Sequence, residues 1–167
     1  MLRGIRLLGD PILRETARPV SAVDDELRAL VADMFETMYA NEGVGLAAPQ
    51  VGLGIRVIVV DPHDEVTKPF ALFNPDVVSQ SDATEKSEEG CLSIPGVRDI
   101  VERPAACVVE ALDTAGKPVR MEAEGMLARI LQHEVDHLNG VLFLDHLSPI
   151  KRRMALARWK KTTEARL

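Results

Sequence analysis

Residues 125–140 read GMLARILQHEVDHLNG, and this stretch decides the fold of the 167-residue chain. Its large apolar side chains recur at helical spacing and Gly140 follows, so the pattern predicts a largely buried helix that ends there. Residues four apart on a helix differ by about 40° in direction, which places His133 and His137 where both can bind one metal ion. Glu134 lies about 60° from His137 by the same geometry, so it can reach a metal-bound water without being a ligand.

The alternative for this segment is a pair of solvated histidines on the surface of an ordinary helix. The helix is apolar on most sides, however, and leaves little room for a solvated face. Buried imidazoles need polar partners, and a metal ion supplies one. The segment therefore predicts a metal site.

A third protein ligand is expected, because catalytic metal sites usually have three protein ligands and one open position. The candidates are Cys91, His63, His146 and several carboxylates. Cys91 follows Gly90 and precedes a short apolar stretch, where burial as a small hydrophobic side chain is as well supported as metal binding. His63 and His146 lie in polar or loop-like segments, which predicts solvated side chains. The residues alone leave the third ligand open.

A glycine-rich segment at residues 43–50 reads GVGLAAPQ. It lacks the Gly-Lys-Ser/Thr ending of a phosphate-binding loop, and taken alone it indicates a tight turn. Its two glycines would also let a peptide backbone approach closely. The amide of Gln50 could donate to a developing oxyanion.

The remaining sequence predicts an α+β fold with mixed or antiparallel strands around the central metal-binding helix and a further helix at the C-terminal end. No repeat or linker divides the chain, so residues 1–167 are expected to form a single domain. Helices are predicted at residues 24–40 and from Ser148-Pro149 onward, and strands at residues 55–60, 70–73, 77–78, 106–112 and 118–124, with a turn at 113–117.

The charge of the chain is unevenly distributed. The net charge is −6, yet residues 151–167 carry +6 and the remainder carries −12. This net charge is too acidic for a general nucleic-acid binder, and no DNA partner is expected. No apolar run is long enough to span a bilayer, so no membrane partner is expected. A cytoplasmic, reducing location follows, where Cys91 and Cys107 are poor disulfide candidates.

Three segments together resemble the peptide deformylase family. Members of this family carry G-x-G-x-A-A-x-Q, E-G-C-L-S and Q-H-E-x-D-H in that order. Residues 43–50, 89–93 and 132–137 match these motifs without a departure. The resemblance covers nearly the whole chain, from the first predicted helix to the basic tail.

The resemblance implies a metal centre in which Cys91 is the third ligand beside His133 and His137. It also implies Fe(II) as the working ion. One thiolate and two imidazoles equally suit zinc, nickel or cobalt, so the ligand types do not select the ion.

The implied activity is hydrolysis of the N-formyl group from the formyl-methionine of newly synthesised polypeptides, with release of formate. Glu134 is implied to activate the metal-bound water as the catalytic base. The Gln50 amide and the backbone N–H of Leu92 are implied to hold the substrate carbonyl. Binding that does not depend on the sequence of the substrate needs pairing with the peptide backbone. We therefore expect the peptide to add as a strand along residues 43–45.

Selectivity for methionine requires an apolar pocket beside the central helix. We expect Val44 and Gly45 to contact the substrate, and Met126 and Ile130 to line the pocket. Arg129 lies in the same stretch, one turn before His133.

A polar network is also expected around the motifs. Glu89, Arg103 and Asp136 are charged residues beside otherwise apolar motif residues, and could position the loop and the helix. The alternative to such a network is that all three are ordinary solvated surface groups.

Two other classes of protein share part of this pattern of metal-binding residues. His-Glu-x-x-His also marks zinc peptidases, whose third ligand would lie downstream, where His146 is the candidate. The segment around Cys91 would then be unexplained. A non-catalytic zinc module that binds the ribosome through its tail would need a closed site, usually with four protein ligands, and the chain offers an obvious three.

The basic tail at residues 149–167 predicts a helix that docks on the ribosome, whose RNA surface attracts cationic helices. Helical spacing aligns Ile150, Met154 and Ala157 as a thin apolar side, and places Trp159 on nearly the opposite face. The alternatives are a solvated helix and a helix that packs back on the acidic body.

Overall fold

The structure is a computed structural model that describes residues 1–165. Arg166, which contributes to the charge of the basic tail, lies outside the described residues. The helices are α1 (Asp25–Ala40), α2 (Gly125–Leu138) and α3 (Pro149–Ala165), with short 3-10 helices at Pro11–Arg14, Ala48–Val51 and Phe143–His146. The strands are β1 (Gly45–Ala47), β2 (Val57–Val60), β3 (Phe70–Gln80), β4 (Thr84–Gly90), β5 (Arg98–Pro104), β6 (Ala106–Leu112) and β7 (Pro118–Glu124).

Two antiparallel sheets surround the central helix. The larger has the order β1-β2-β3-β6-β7, and the smaller consists of β4 and β5. This arrangement confirms the predicted α+β class with antiparallel strands around a central helix and a C-terminal helix. Among residues 1–165, no helix combines the length and apolarity that crossing a membrane requires.

Strand β2 is buried on both faces, because a helix covers each of them. Ile58 and Val60 belong to the apolar cluster that α2 enters. Val57 and Val59 belong to the cluster that α1 enters. Successive strand side chains point to opposite faces, so an unbroken apolar run is what a strand between two helices requires.

The ends of α1 and α2 follow from local chemistry. The side chain of Asp24 caps α1 by accepting from the Leu27 N–H at 2.9 Å. Gly140 ends α2 with φ 73°, and an added Cβ would lie 2.6 Å from the Arg14 carbonyl oxygen. A left-handed backbone and a close contact therefore both require glycine there.

The strand predictions were right in part. The β6–β7 hairpin has the predicted bounds, while the two weak strands at 70–73 and 77–78 form one continuous strand, β3, with irregular register opposite β6. The sequence patterns did not predict β1 or the β4–β5 hairpin, which carries Glu89 and Arg103.

The predicted helix in the tail is present, and the structure shows which of its two apolar faces meets the body. Trp159 and Ala155 pack against a cluster that includes Phe143, so the Trp159 face points towards the body. Ile150 and Met154 are 70% and 56% exposed instead. The tryptophan is larger and gains more from burial than the thin aliphatic stripe, which explains why its face is the one that packs.

Candidate metal centre and active site

The two histidines of α2 and the cysteine that follows β4 meet in the interior. Their ligand atoms all lie within 4.8 Å of one another, and this group could hold a metal ion. The Nε2 atoms of His133 and His137 are 3.3 Å apart. The Sγ atom of Cys91 lies 3.4 Å from the His137 Nε2 atom.

These separations fit a tetrahedral ion. Metal–nitrogen bonds of about 2.0–2.1 Å and a metal–sulfur bond of about 2.3 Å at tetrahedral angles separate two nitrogens by about 3.3 Å and a nitrogen from the sulfur by about 3.5 Å. The observed distances are close to both values. The three side chains thus have the donor atoms that a divalent cation needs, and two of their three separations match those around a bound ion.

A buried carboxylate orients one of the imidazoles. The Nδ1 atom of His133 lies 2.9 Å from Glu89, and Arg103 donates twice to the same carboxylate. Burial opposes ionisation of Glu89, but His133 and Arg103 outweigh it and hold the pKa of Glu89 well below its ordinary value. A proton on Nδ1 leaves Nε2 free to face Cys91 and His137, the usual role of a carboxylate behind a metal-binding histidine.

The expected polar network is confirmed, and it is larger than predicted. Arg103 also donates to Asp136 at 2.9 Å, which joins β5 to α2. Arg129 donates to Glu89 and to the carbonyl oxygens of Val101 and Glu85. The Arg129 guanidinium is therefore hydrogen-bonded behind the candidate metal site.

Burial also acts on the imidazoles. Burial and then the neighbouring His133 lower the pKa of His137 well below its ordinary value. A neutral imidazole is the state that metal binding requires. Burial opposes protonation of His133 as well, but hydrogen bonds with Cys91 and Glu89 raise its pKa well above the ordinary value.

Glu134 is a buried carboxylate without a fixed partner. Among residues 1–165, its Oε1 atom and the His137 Nδ1 atom are the buried side-chain atoms that lack a hydrogen bond. Burial raises the pKa of Glu134 to about 7. An added Cβ on Gly45 would lie 2.5 Å from the Glu134 Oε2 atom, so a larger residue there would displace this carboxylate.

Two hydrogen-bond donors lie beside Cys91. The Gln50 Nε2 atom lies 3.1 Å from the Ser93 hydroxyl and 3.5 Å from the Cys91 Sγ atom, while its Oε1 atom accepts from the Ala47 N–H. The Leu92 N–H donates to no group within residues 1–165. Ser93 was not singled out from the sequence, although its place two residues after Cys91 was a signal.

An open cavity of about 770 Å³ connects these groups to solvent. Its walls include all of the expected substrate-contacting residues, Val44, Gly45, Met126 and Ile130, together with Gln50, Cys91, Leu92, His133 and Glu134. Ile130 is buried and Met126 is half-exposed. The cavity size is typical of a ligand site.

Neither of the other histidines joins the centre. His146 lies 2.8 Å from Asp136, and His63 lies 3.2 Å from the Gly43 carbonyl oxygen. Both were expected to be solvated. They instead make specific contacts while staying partly exposed.

The sequence model of the polypeptide deformylase family matches residues 2–153. The chain belongs to this family. A peptide deformylase of Brucella suis biovar 1 (strain 1330) is 49% identical over 162 residues, which cover 96% of this chain and 93% of that protein. One of Rhizobium meliloti (strain 1021) is 47% identical over 167 residues, covering 99% and 96%.

Solved polypeptide deformylases also share the fold. The crystal structure of a peptide deformylase from Legionella pneumophila superposes with a TM-score of 0.93 at 45% identity, covering 99% of this chain and 98% of that one. Family membership and the packed Cys-His-His group therefore agree with the resemblance that the three motifs indicated.

Proposed function

We propose that this protein hydrolyses the N-formyl group of the formyl-methionine on newly synthesised polypeptides, releasing formate and a free amino terminus. One observation carries the proposal: Glu134, a buried carboxylate with no hydrogen-bond partner for Oε1 among residues 1–165, lies on the same helix as two histidines whose ligand atoms lie within 4.8 Å of that of Cys91. Family membership supplies the class of reaction. We propose that residues 1–167 form one catalytic domain that works in the cytoplasm, where such chains emerge.

The metal would be held by Cys91, His133 and His137, whose spacing fits a tetrahedral site. When bound, a divalent cation supplies Lewis-acid activation of a water molecule and of the formyl oxygen. We propose Fe(II) as the working ion, with zinc, nickel or cobalt able to occupy the same ligands.

Glu134 would move the proton. Its carboxylate accepts a proton from the attacking water as the new C–O bond to the formyl carbon forms. It then delivers this proton to the methionine nitrogen as the C–N bond breaks, so the leaving group departs as a neutral amine. The absence of a hydrogen-bond partner at Oε1 among residues 1–165 leaves the carboxylate free for both transfers.

Gln50 and Leu92 would stabilise the negative charge that develops on the formyl oxygen. The Gln50 amide is buried and held in place by the Ala47 N–H and the Ser93 hydroxyl. The Leu92 N–H has no other acceptor within residues 1–165. Donors fixed in advance cost no reorganisation when the charge appears.

The substrate backbone would pair beside Val44 and Gly45. The missing side chain of Gly45 lets a backbone lie close to Glu134. Backbone pairing reads no sequence, so selectivity for methionine would come from the apolar wall that Met126 and Ile130 contribute to the cavity.

Release of formate from formyl-Met-Ala-Ser tests this proposal. We expect metal-loaded protein to release formate with multiple turnovers and to leave acetyl-Met-Ala-Ser intact, because the methyl group of the acetyl peptide crowds the reacting carbon. A metal-loaded protein that releases no formate would contradict the proposed function.

The basic helix α3 suggests where the enzyme meets its substrate. Lys151, Arg153, Lys160 and Lys161 are exposed, as are Ile150 and Met154. Because the substrate emerges from the ribosome, we propose that residues 149–167 dock on ribosomal RNA through phosphate contacts.

Removal of residues 151–167 should weaken co-sedimentation with ribosomes. The binding of the intact protein should fall as salt is added, since phosphate contacts release counterions. A matched variant, Lys151→Glu with Lys160→Glu and Lys161→Glu, keeps Trp159 and the helix while removing the cationic charge. Unchanged co-sedimentation of both variants would rule out docking through this helix.

A further inference from the structure

The loop that follows β2 contacts the segment beside which the substrate would pair. The Asp61 N–H donates to the Val44 carbonyl oxygen at 2.8 Å. The Nε2 atom of His63 lies 3.2 Å from the preceding carbonyl oxygen, that of Gly43. Two consecutive carbonyls of one segment are thus both contacted by one loop, whose residues Asp61 and His63 do not line the cavity.

The planarity of the peptide bond links this contact to the direction of the next backbone N–H. In a trans peptide, the carbonyl of one residue and the N–H of the next point in opposite directions. The contact of His63 with the Gly43 carbonyl therefore directs the Val44 N–H away from His63. That N–H donates to no group within residues 1–165, and Val44 lines the cavity. It is therefore an unpaired donor, among residues 1–165, on a residue of the cavity wall.

His63 is itself fixed by its surroundings. Its backbone has φ 58°, a left-handed conformation that is uncommon outside glycine. Its backbone N–H donates to the Asp61 carboxylate at 2.9 Å, and the phenol of Tyr39 donates to the same carboxylate at 2.6 Å. The Tyr39 and His63 rings lie 5.9 Å apart. Burial and this hydrogen bond raise the pKa of Tyr39 to about 12, so the phenol stays a donor.

We infer that His63 is a positioning residue for substrate binding: by donating from Nε2 to the Gly43 carbonyl, it aims the Val44 N–H at a backbone carbonyl of the bound peptide. The inference rests on the proposed function, because it assigns a role within the same site. His63 touches no reacting atom. It acts on the affinity for the peptide, and the chemical step depends on other groups.

Steady-state kinetics on formyl-Met-Ala-Ser separate these effects. His63→Ala and His63→Phe both remove the donor, and His63→Phe keeps a ring beside Tyr39. In both variants we expect KM to rise by about 3- to 10-fold, the scale of one hydrogen bond, and kcat to stay within about 2-fold of the wild type. His63→Gln keeps an amide N–H at a similar reach and should restore a KM close to the wild-type value.

Glu65→Ala is the matched control, because Glu65 is exposed in the same loop and forms no ion pair within residues 1–165. It should leave KM unchanged. Metal content and the thermal unfolding midpoint are measured for every variant. If His63→Ala is too unstable to assay, the difference in KM between His63→Phe and His63→Gln tests the inference.

Three outcomes would overturn the inference: a wild-type KM in the donor-free variants, a fall in kcat at constant KM, or an equal rise of KM in His63→Gln. Failure of the proposed function is distinct from these, because the wild-type protein itself would then release no formate.

Discussion

Replacement of Glu134 with alanine should lower kcat by about 10²- to 10⁴-fold, the usual contribution of a positioned general base. The variant should still fold and bind metal, because Cys91, His133 and His137 remain. Glu134→Gln should lose a similar factor, since the amide preserves the volume beside Gly45 but cannot accept the proton. Formate release at saturating peptide, with metal content from the same samples, measures both expectations.

A carboxylate far from the centre provides the control for this experiment. Glu122 is exposed on β7, and Glu122→Gln should leave kcat within about 2-fold of the wild type. If Glu134→Ala lost the metal while Cys91→Ala kept it, the assigned roles of the two residues would be reversed. Near-normal turnover by Glu134→Gln would exclude proton transfer by this side chain.

Replacement of Cys91 with alanine should remove most of the bound metal and, with it, more than about 10²-fold of the activity. Two imidazoles would remain at 3.3 Å, but the thiolate would be lost together with its charge. The chain supplies a matched control in Cys107, which is buried in the cluster beneath α2 and distant from the ligand group. Cys107→Ala should keep about one ion per chain.

Metal analysis after gel filtration in the presence of a weak chelator measures this difference. Full metal content and full activity in Cys91→Ala would end the assignment of this ligand. Loss of metal from Cys107→Ala as well would show that the measurement reports general destabilisation of the core.

The sequence predicted those features of the site that are encoded locally. The i, i+4 spacing of His133 and His137 and the stop at Gly140 are properties of one helix, and the structure retains both. The hairpin of β6 and β7 was equally local, since the turn between its strands has a clear composition. Only the family resemblance selected Cys91 over the other candidates, because no local rule links residue 91 to a helix that begins at residue 125.

The β4–β5 hairpin could not be predicted, because its residues are mostly charged. Its strands are TEKSEEG and RDIVERP, which have few of the apolar alternations that identify a strand. Strand formation there depends on long-range packing. Glu89 of β4 and Arg103 of β5 are buried and join the network with Arg129, and ion pairing of this kind allows charged residues to be buried.

The orientation of α3 on the body could not be predicted from the sequence either. Helical geometry separated the Trp159 face from the Ile150 face correctly, but it could not say which one meets the body. That choice depends on the apolar cluster around Phe143, which is assembled from distant segments.

Metal-dependent hydrolysis by this protein is tested by metal analysis combined with formate release on the same anaerobically purified protein. We expect about one divalent ion per chain, formate release from formyl-Met-Ala-Ser that is lost when the ion is removed, and recovery when Fe(II) is added back. A protein that carries a full complement of metal and releases no formate, or one that keeps full activity after the metal is removed, would contradict this expectation.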